Sequence, residues 1–309
     1  MTRDKAAELK DEGERQREKA DKRNLYLLRE GVIFPNSPAA LSLPAAELEK
    51  RQVSFNARRN LLKSNPLLYV SKTRLSIRQI PLFVSDRTLK RLAVHAMRAF
   101  EEEVKCGDRE PLSAEELRMD EDILQFEGSG GTRKGKGKTV GRETGVKQAK
   151  VVRQADRIDP LTGKGRSRGY GFLETKRHSD ALRVLRWSNN NQSLHALLEE
   201  WWKDEIKDLT KNLESGNTKP KSNDSNNGES GEDLEARVRR LKGELERLNS
   251  TEGRTKSGKR TLIVEFSIEN VQTVNRRKEK NEVSTRLKLI FASRPNVTDL
   301  FYGGGLARL

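Results

Sequence analysis

Cysteine is almost missing from this chain. Cys106 is the one cysteine in 309 residues, which excludes an intrachain disulfide and fits a reducing compartment. Histidine is nearly as scarce, at three; no second His or Cys stands at metal-ligand spacing from His95, and no convergent carboxylate pattern accompanies them. A catalytic constellation and a metal site are therefore not expected. Apolar residues are in short supply too. They make up 33% of the chain against 35% charged, with a mean hydropathy of -0.86. One modest core with long solvated extensions follows, rather than two full cores. No run is long and apolar enough to span a bilayer, and the first twenty residues lack the apolar centre of a signal peptide. Acidic residues are the minority charge, 46 against 62 basic, leaving a formal net charge of +16 and a pI near 9.9. Such a balance calls for a partner dense in negative charge. Nucleic acid is the commonest, and an anionic membrane is the rival.

What is present centres on Arg168-Gly169-Tyr170-Gly171-Phe172-Leu173-Glu174-Thr175. The order basic, Gly, aromatic, Gly, aromatic, aliphatic belongs on the central strand of an RNA-recognition module. A strand repeats every two residues, so Arg168, Tyr170, Phe172 and Glu174 share one face. Gly169, Gly171, Leu173 and Thr175 back them with small and aliphatic groups that admit a helix behind the sheet. Two bases stacked on two rings need that row, and Arg168 can meet the phosphate between them. The competing view is an ordinary half-buried strand whose rings other protein covers. A partner strand is expected at Arg74-Leu75-Ser76-Ile77-Arg78-Gln79-Ile80-Pro81. Its second motif position usually carries a stacking ring and here holds Ser76.

The remaining elements follow from spacing. Ser42-Leu43-Pro44-Ala45-Ala46-Glu47 opens a helix running to about Leu62. Asp86 is the expected N-cap of a helix whose Leu89, Leu92, Ala93, Ala96, Met97, Phe100 and Val104 share one face. His95 lies off that stripe, at a rim. A second strand is expected at Val151-Val152-Arg153-Gln154, a helix over about 178–188, and a last strand at Thr261–Phe266. The order strand, helix, strand, strand, helix, strand predicts an α+β fold of RNA-recognition type (RRM, β-α-β-β-α-β). A four-stranded antiparallel sheet would have two helices behind it, with long insertions and helical extensions.

Between the last helix and strand come a helix from Ser193 to about Leu209 and a linker over 211–231. A leucine series at 234, 241, 245 and 248, with Val238, then marks a short coiled-coil-like helix. Trp201 and Trp202 are adjacent, so at least one of them is expected at a packing seam with another element or a partner. The chain thus divides into a charged tail over 1–23, a helical extension over 24–72, the module over 73–280 with insertions at 107–145 and 190–258, and a tail over 281–309.

Two phosphate-loop look-alikes are refused. Ahead of Gly137-Lys138-Thr139 the first glycine position is Thr132, and after Gly258-Lys259 the metal-binding hydroxyl is replaced by Arg260. The chain reads as a binder without chemistry, cofactor, metal or small-molecule substrate. Tyr170 and Phe172 are expected to stack bases, with Ser76 beside them, while Arg168 and Arg78 meet phosphates or base edges. Lys134, Lys136 and Lys138 of the Gly-rich insertion, and Arg276, Arg277 and Lys278 after the last strand, are expected to add salt-dependent affinity. The alternative is a protein-interaction scaffold with a covered sheet and only electrostatic RNA contacts.

Phe34-Pro35-Asn36-Ser37-Pro38, Arg58–Pro66, Val70–Leu75, Gly169–Glu174, Leu182–Asn190 and Leu262–Asn270 form a more specific set. Together they resemble the last RNA-recognition module of the nucleolar protein four family, also called RNA-binding motif protein twenty-eight. The resemblance covers roughly residues 24–280. It implies a nuclear, nucleolar protein of large (60S) ribosomal subunit assembly that associates with precursor ribosomal RNA, assembly factors and ribosomal proteins, away from membranes. Family members are much longer and carry modules ahead of this one, so the chain resembles a C-terminal portion or a short gene model.

Overall fold

The computed structural model describes residues 23–118, 144–215, 231–250 and 261–277, with residue 21, 279–280 and a few isolated positions near either end; of 231–234 only the backbone is described. Four strands form one antiparallel sheet: β1 (Leu68–Arg78), β2 (Val146–Ile158), β3 (Gly165–Thr175) and β4 (Ile263–Asn270), in the order β2-β3-β1-β4. The helical extension before β1 contributes α1 (Ala45–Ser64), preceded by two 3-10 turns at Leu25–Leu28 and Pro38–Ser42. Then follow α2 (Asp86–Cys106), α3 (His178–Ser188), α4 (Leu194–Glu214) and α5 (Gly231–Asn249). The β-α-β-β-α-β order and the α+β class expected from the motifs are both present.

Register decides which side is core. Leu75 pairs with Leu173 and Ile77 with Gly171, while Ser76 pairs with Phe172 and Arg78 with Tyr170. The first set is buried, beside Val151, Val264 and Phe266, against Leu89, Leu92, Ala96 and Phe100 of α2 and Leu182, Val184 and Leu185 of α3. Those helix residues recur every three to four positions, so each helix buries one stripe. Several boundaries differ from expectation: β4 runs from Ile263 to Asn270 rather than from Thr261 to Phe266, and α4 ends at Glu214 rather than near Leu209. β1 starts at Leu68 rather than Arg74, because its register shifts between Val70 and Leu75 and the strand continues through the bulge. β2 is likewise longer, extended by pairing with β3 out to Ile158.

The cap of α2 is Ser85, one residue before the expected Asp86. Its Oγ accepts the Thr88 N–H at 3.1 Å. Asp86 instead accepts the Val151 N–H at 2.7 Å and ties β2 to the start of the helix. The adjacent tryptophans are both buried, each at a different seam. Trp201 joins the main core, and Trp202 packs with Phe83, Ile206 and Leu241 in a second cluster. Leu241, Leu245 and Leu248 of α5 find their partner in the same chain: they pack with Trp202, Ile206, Leu209 and Leu213 of α4, and Lys242 is bonded to Glu214 at 2.9 Å. His95 is half-buried, edge-on to Trp187 and Trp201 at 5.2 and 5.4 Å. No described helix is long and apolar enough to cross a membrane.

Candidate nucleic-acid interface

β3 carries the motif in the middle of the sheet. Its burial alternates as expected, with Gly171, Leu173 and Thr175 buried and Tyr170, Phe172 and Glu174 half-buried. The motif glycines serve a different purpose from the one their pattern suggested. A Cβ on Gly171 would stand 2.8 Å from the Lys150 carbonyl oxygen and 3.3 Å from Ile80, so this glycine admits the neighbouring strand, not a helix. Gly169 has φ +76°, a left-handed conformation that strains any residue with a Cβ. That turn lets its carbonyl accept the Ile80 N–H at 2.9 Å while Ser167 Oγ accepts its N–H at 3.1 Å.

On the face away from the helices, Tyr170 and Phe172 meet edge to face with centroids 6.3 Å apart. Arg168 is exposed beside them, and Lys150 lies opposite Phe172 on β2. Neither of those cations makes a hydrogen bond or ion pair among the described residues. The Arg74 guanidinium sits 4.8 Å over the Phe172 ring, and bonds Glu269 at 3.0 Å. Glu174, at the end of the row, is paired with Lys147 at 3.0 Å.

The other half of this face is occupied. Ile263, Glu265 and Ser267 alternate with the core residues of β4, yet each is 5–6% exposed. What covers them is α1, reaching over with a stripe of polar side chains. Arg58 donates to the Phe266 carbonyl and lies 3.3 Å from the Glu265 carboxylate. Arg51 donates to Thr261 Oγ1 at 3.0 Å and to the Leu262 carbonyl at 3.3 Å. Arg78, on β1, donates to the same Glu265 carboxylate and to Ser54 Oγ. Burial pushes the Arg51 and Arg58 guanidiniums down from their ordinary value, and Glu265 opposes that shift in both. At the far end of β1, burial, then the Glu269 carboxylate, pushes the Tyr69 phenol up to about 12.

The expected site residues therefore separate. Tyr170, Phe172 and Arg168 come together on the exposed half. Ser76 stands between that half and β4, and Arg78 is taken up by Glu265. Arg276 and Arg277 are exposed on the helical stretch 271–277 that follows β4, with Arg277 3.8 Å from Glu269. Lys134, Lys136, Lys138 and Lys278 lie outside the described residues. Arg74 and Lys150 were missed as members of the face. The signal for Arg74 was period two, counting back from Arg78 through Ser76; Lys150 needed the β2–β3 register.

Against known proteins, the chain is 29% identical over 203 residues to human (Homo sapiens) RNA-binding protein 28. The chain is a relative of RNA-binding protein 28. This agrees with the family resemblance carried by the motifs around β1, β3 and β4. The match takes in 64% of this chain but only 20% of that protein, so the chain spans about one fifth of the relative's length. No family model and no solved structure matches the chain.

Proposed function

We propose that this chain binds single-stranded RNA on the β3–β2 half of its sheet, without catalysis. The observation that carries this is the pair of half-exposed rings, Tyr170 and Phe172, flanked by Arg168 and Lys150, two exposed cations with no internal partner among the described residues. A flat ring stacks a base whatever its identity, and a free cation beside it meets the phosphate. The printed name of the relative, an RNA-binding protein, supports the same class of ligand. With β4 under α1, the footprint is short: the strand crosses β3 rather than the whole sheet. Arg78 neutralises Glu265 and holds α1, so it is not counted among the RNA contacts.

The RNA is proposed to be precursor ribosomal RNA during large-subunit assembly in the nucleolus, beside assembly factors and ribosomal proteins. That rests on the motif resemblance. The Tyr170→Ala/Phe172→Ala double variant should lose about 1–3 kcal/mol for each stacked base in titrations with a short oligouridylate at fixed salt. Unchanged affinity would sink the stacking mechanism. In cells, RNA crosslinks are expected at Tyr170 or Phe172 on precursor large-subunit RNA.

A second reading is favoured by one observation, the burial of Ile263, Glu265 and Ser267 beneath α1. A sheet already half committed to protein suits a scaffold whose remaining rings seat another protein. Crosslinks confined to the basic segments at 133–150 and 254–280, with none at Lys150, would select it.

A further inference from the structure

A second aromatic cluster lies outside the sheet face. Between α1, the 3-10 turn at Leu25–Leu28 and Phe34 is a groove of about 900 Å³. Its floor is Leu25, Leu28 and Leu62, and its walls are Tyr26, Phe34 and Phe55. Phe34 and Phe55 meet edge to face at 5.7 Å, and Tyr26 and Phe34 remain 53% and 43% exposed. Large rings left that open beside a leucine floor are unusual on a chain so poor in apolar residues.

Charge sets the rim. Arg29, Arg59 and Lys63 line the groove, are exposed, and make no side-chain hydrogen bond or ion pair among the described residues. A fourth cation, Arg23, is already spent: it holds Asp21 at 2.6 Å and donates to the Leu62 carbonyl at 2.9 Å. Among the described residues Asp21 is the one acidic residue lining the groove. Elsewhere Arg87 and Arg91, also exposed, are balanced by Asp208 and Asp204. An apolar trough with three unbalanced cations fits a ligand with apolar side chains and surrounding negative charge.

We infer that this groove docks an acidic peptide of a partner protein, anchored by an aromatic or leucine side chain. Charge complementarity calls for an anionic ligand, and the leucine floor favours peptide over nucleic acid. The floor is made of leucines, which offer flexible aliphatic contacts but no flat platform for a base. The groove is also separate from the β3 rings. On α1, Ser54 and Arg58 turn toward the sheet, while Phe55 and Arg59 turn about 100° further round toward the groove. The protein would then bring two ligands together, with RNA on one side of α1 and a peptide on the other; the first half of that statement rests on the proposed function.

The probe is a fluorescein-labelled peptide in which Phe and Leu alternate with Asp and Glu, titrated with the full chain and read by anisotropy. Wild type should bind it, and Arg59→Glu with Lys63→Glu should weaken binding about tenfold or more, since both charges are exposed and act on the encounter and the complex alike. A peptide with Lys in place of the acids should bind that variant better than wild type. The Tyr170→Ala/Phe172→Ala variant should keep the peptide and lose oligouridylate, so each ligand can fail without the other. Absence of binding to wild type, equal binding by the charge-reversed variant, or displacement of the peptide by oligouridylate would overturn the inference, the last by giving the groove to nucleic acid.

Discussion

Glu265 faces away from the core on an edge strand, where a carboxylate would ordinarily be wet, and yet it is 5% exposed. Its burial is tolerable because Arg58 and Arg78 both reach it, with Arg51 close by. Removing one member of a buried ion cluster leaves the others uncompensated, which costs more than the cluster contributed. Glu265→Gln should therefore destabilise the chain by about 3–5 kcal/mol in chemical denaturation, while Arg78→Met, which removes the less buried partner, should cost less. A loss under half that range for Glu265→Gln would mean that the cluster is solvated. Tyr69 supplies a pH handle. Its folded pKa, about 12, is above the unfolded value of about 10. Its contribution to stability is complete below pH 10 and is lost as pH rises through 12. Tyr69→Phe should flatten the alkaline limb of a melting-temperature profile over that window, and an unaltered limb would rule the phenol out.

At the scale of elements, the β2–β3 ribbon depends on close backbone approach. Gly171→Ala puts a methyl 2.8 Å from a strand carbonyl, and overpacking of that kind costs about 1–3 kcal/mol. The loss should appear first as faster amide exchange in β2. Ser85→Ala removes the α2 cap and a hydroxyl that also donates to Glu205 of α4 at 2.7 Å. A fall of about 1–2 kcal/mol is expected, at the upper end of cap losses because two contacts go together. Elements with a strong period were legible from the residues. The stripes of α2 and α3 and the alternation of β3 depend on local spacing, and the β1 partner of β3 could be read from its aliphatic alternation. The role of α1 was not legible. Its contacts with the sheet run through Arg51, Ser54 and Arg58, residue types that read as solvated surface wherever they occur. Only the fold shows that they end on the carbonyls and carboxylate of β4. For the same reason the face was expected to be wholly open or wholly covered, whereas the structure divides it.

For the molecule as a whole, α1 answers a problem of edges. β4 closes one side of the sheet; Arg58 takes its outward Phe266 carbonyl and Arg51 the Leu262 carbonyl just before it, while Asn189 Oδ1 receives the Val264 N–H. An edge strand left bare pairs with other chains. A chain lacking residues 1–66 should therefore self-associate, seen as a concentration-dependent mass by light scattering, where the full chain keeps one mass across the same range. RNA affinity should also fall with salt, with a log–log slope of about -0.7 for each phosphate contacted by a single strand; a flat response would exclude Arg168 and Lys150 as phosphate contacts. The same arrangement fixes the order in which the chain can be completed. Arg51 and Thr261 are 210 residues apart, and β1 lies between β3 and a strand made almost two hundred residues after it. At ordinary translation speeds, on the order of 10–40 seconds pass between the emergence of β1 and that of β4. Throughout that interval the guanidiniums of α1 have no carbonyls to meet and the outer rim of β1 is bare, so a nascent chain on the ribosome is exposed to mispairing at the flank the finished protein guards most closely.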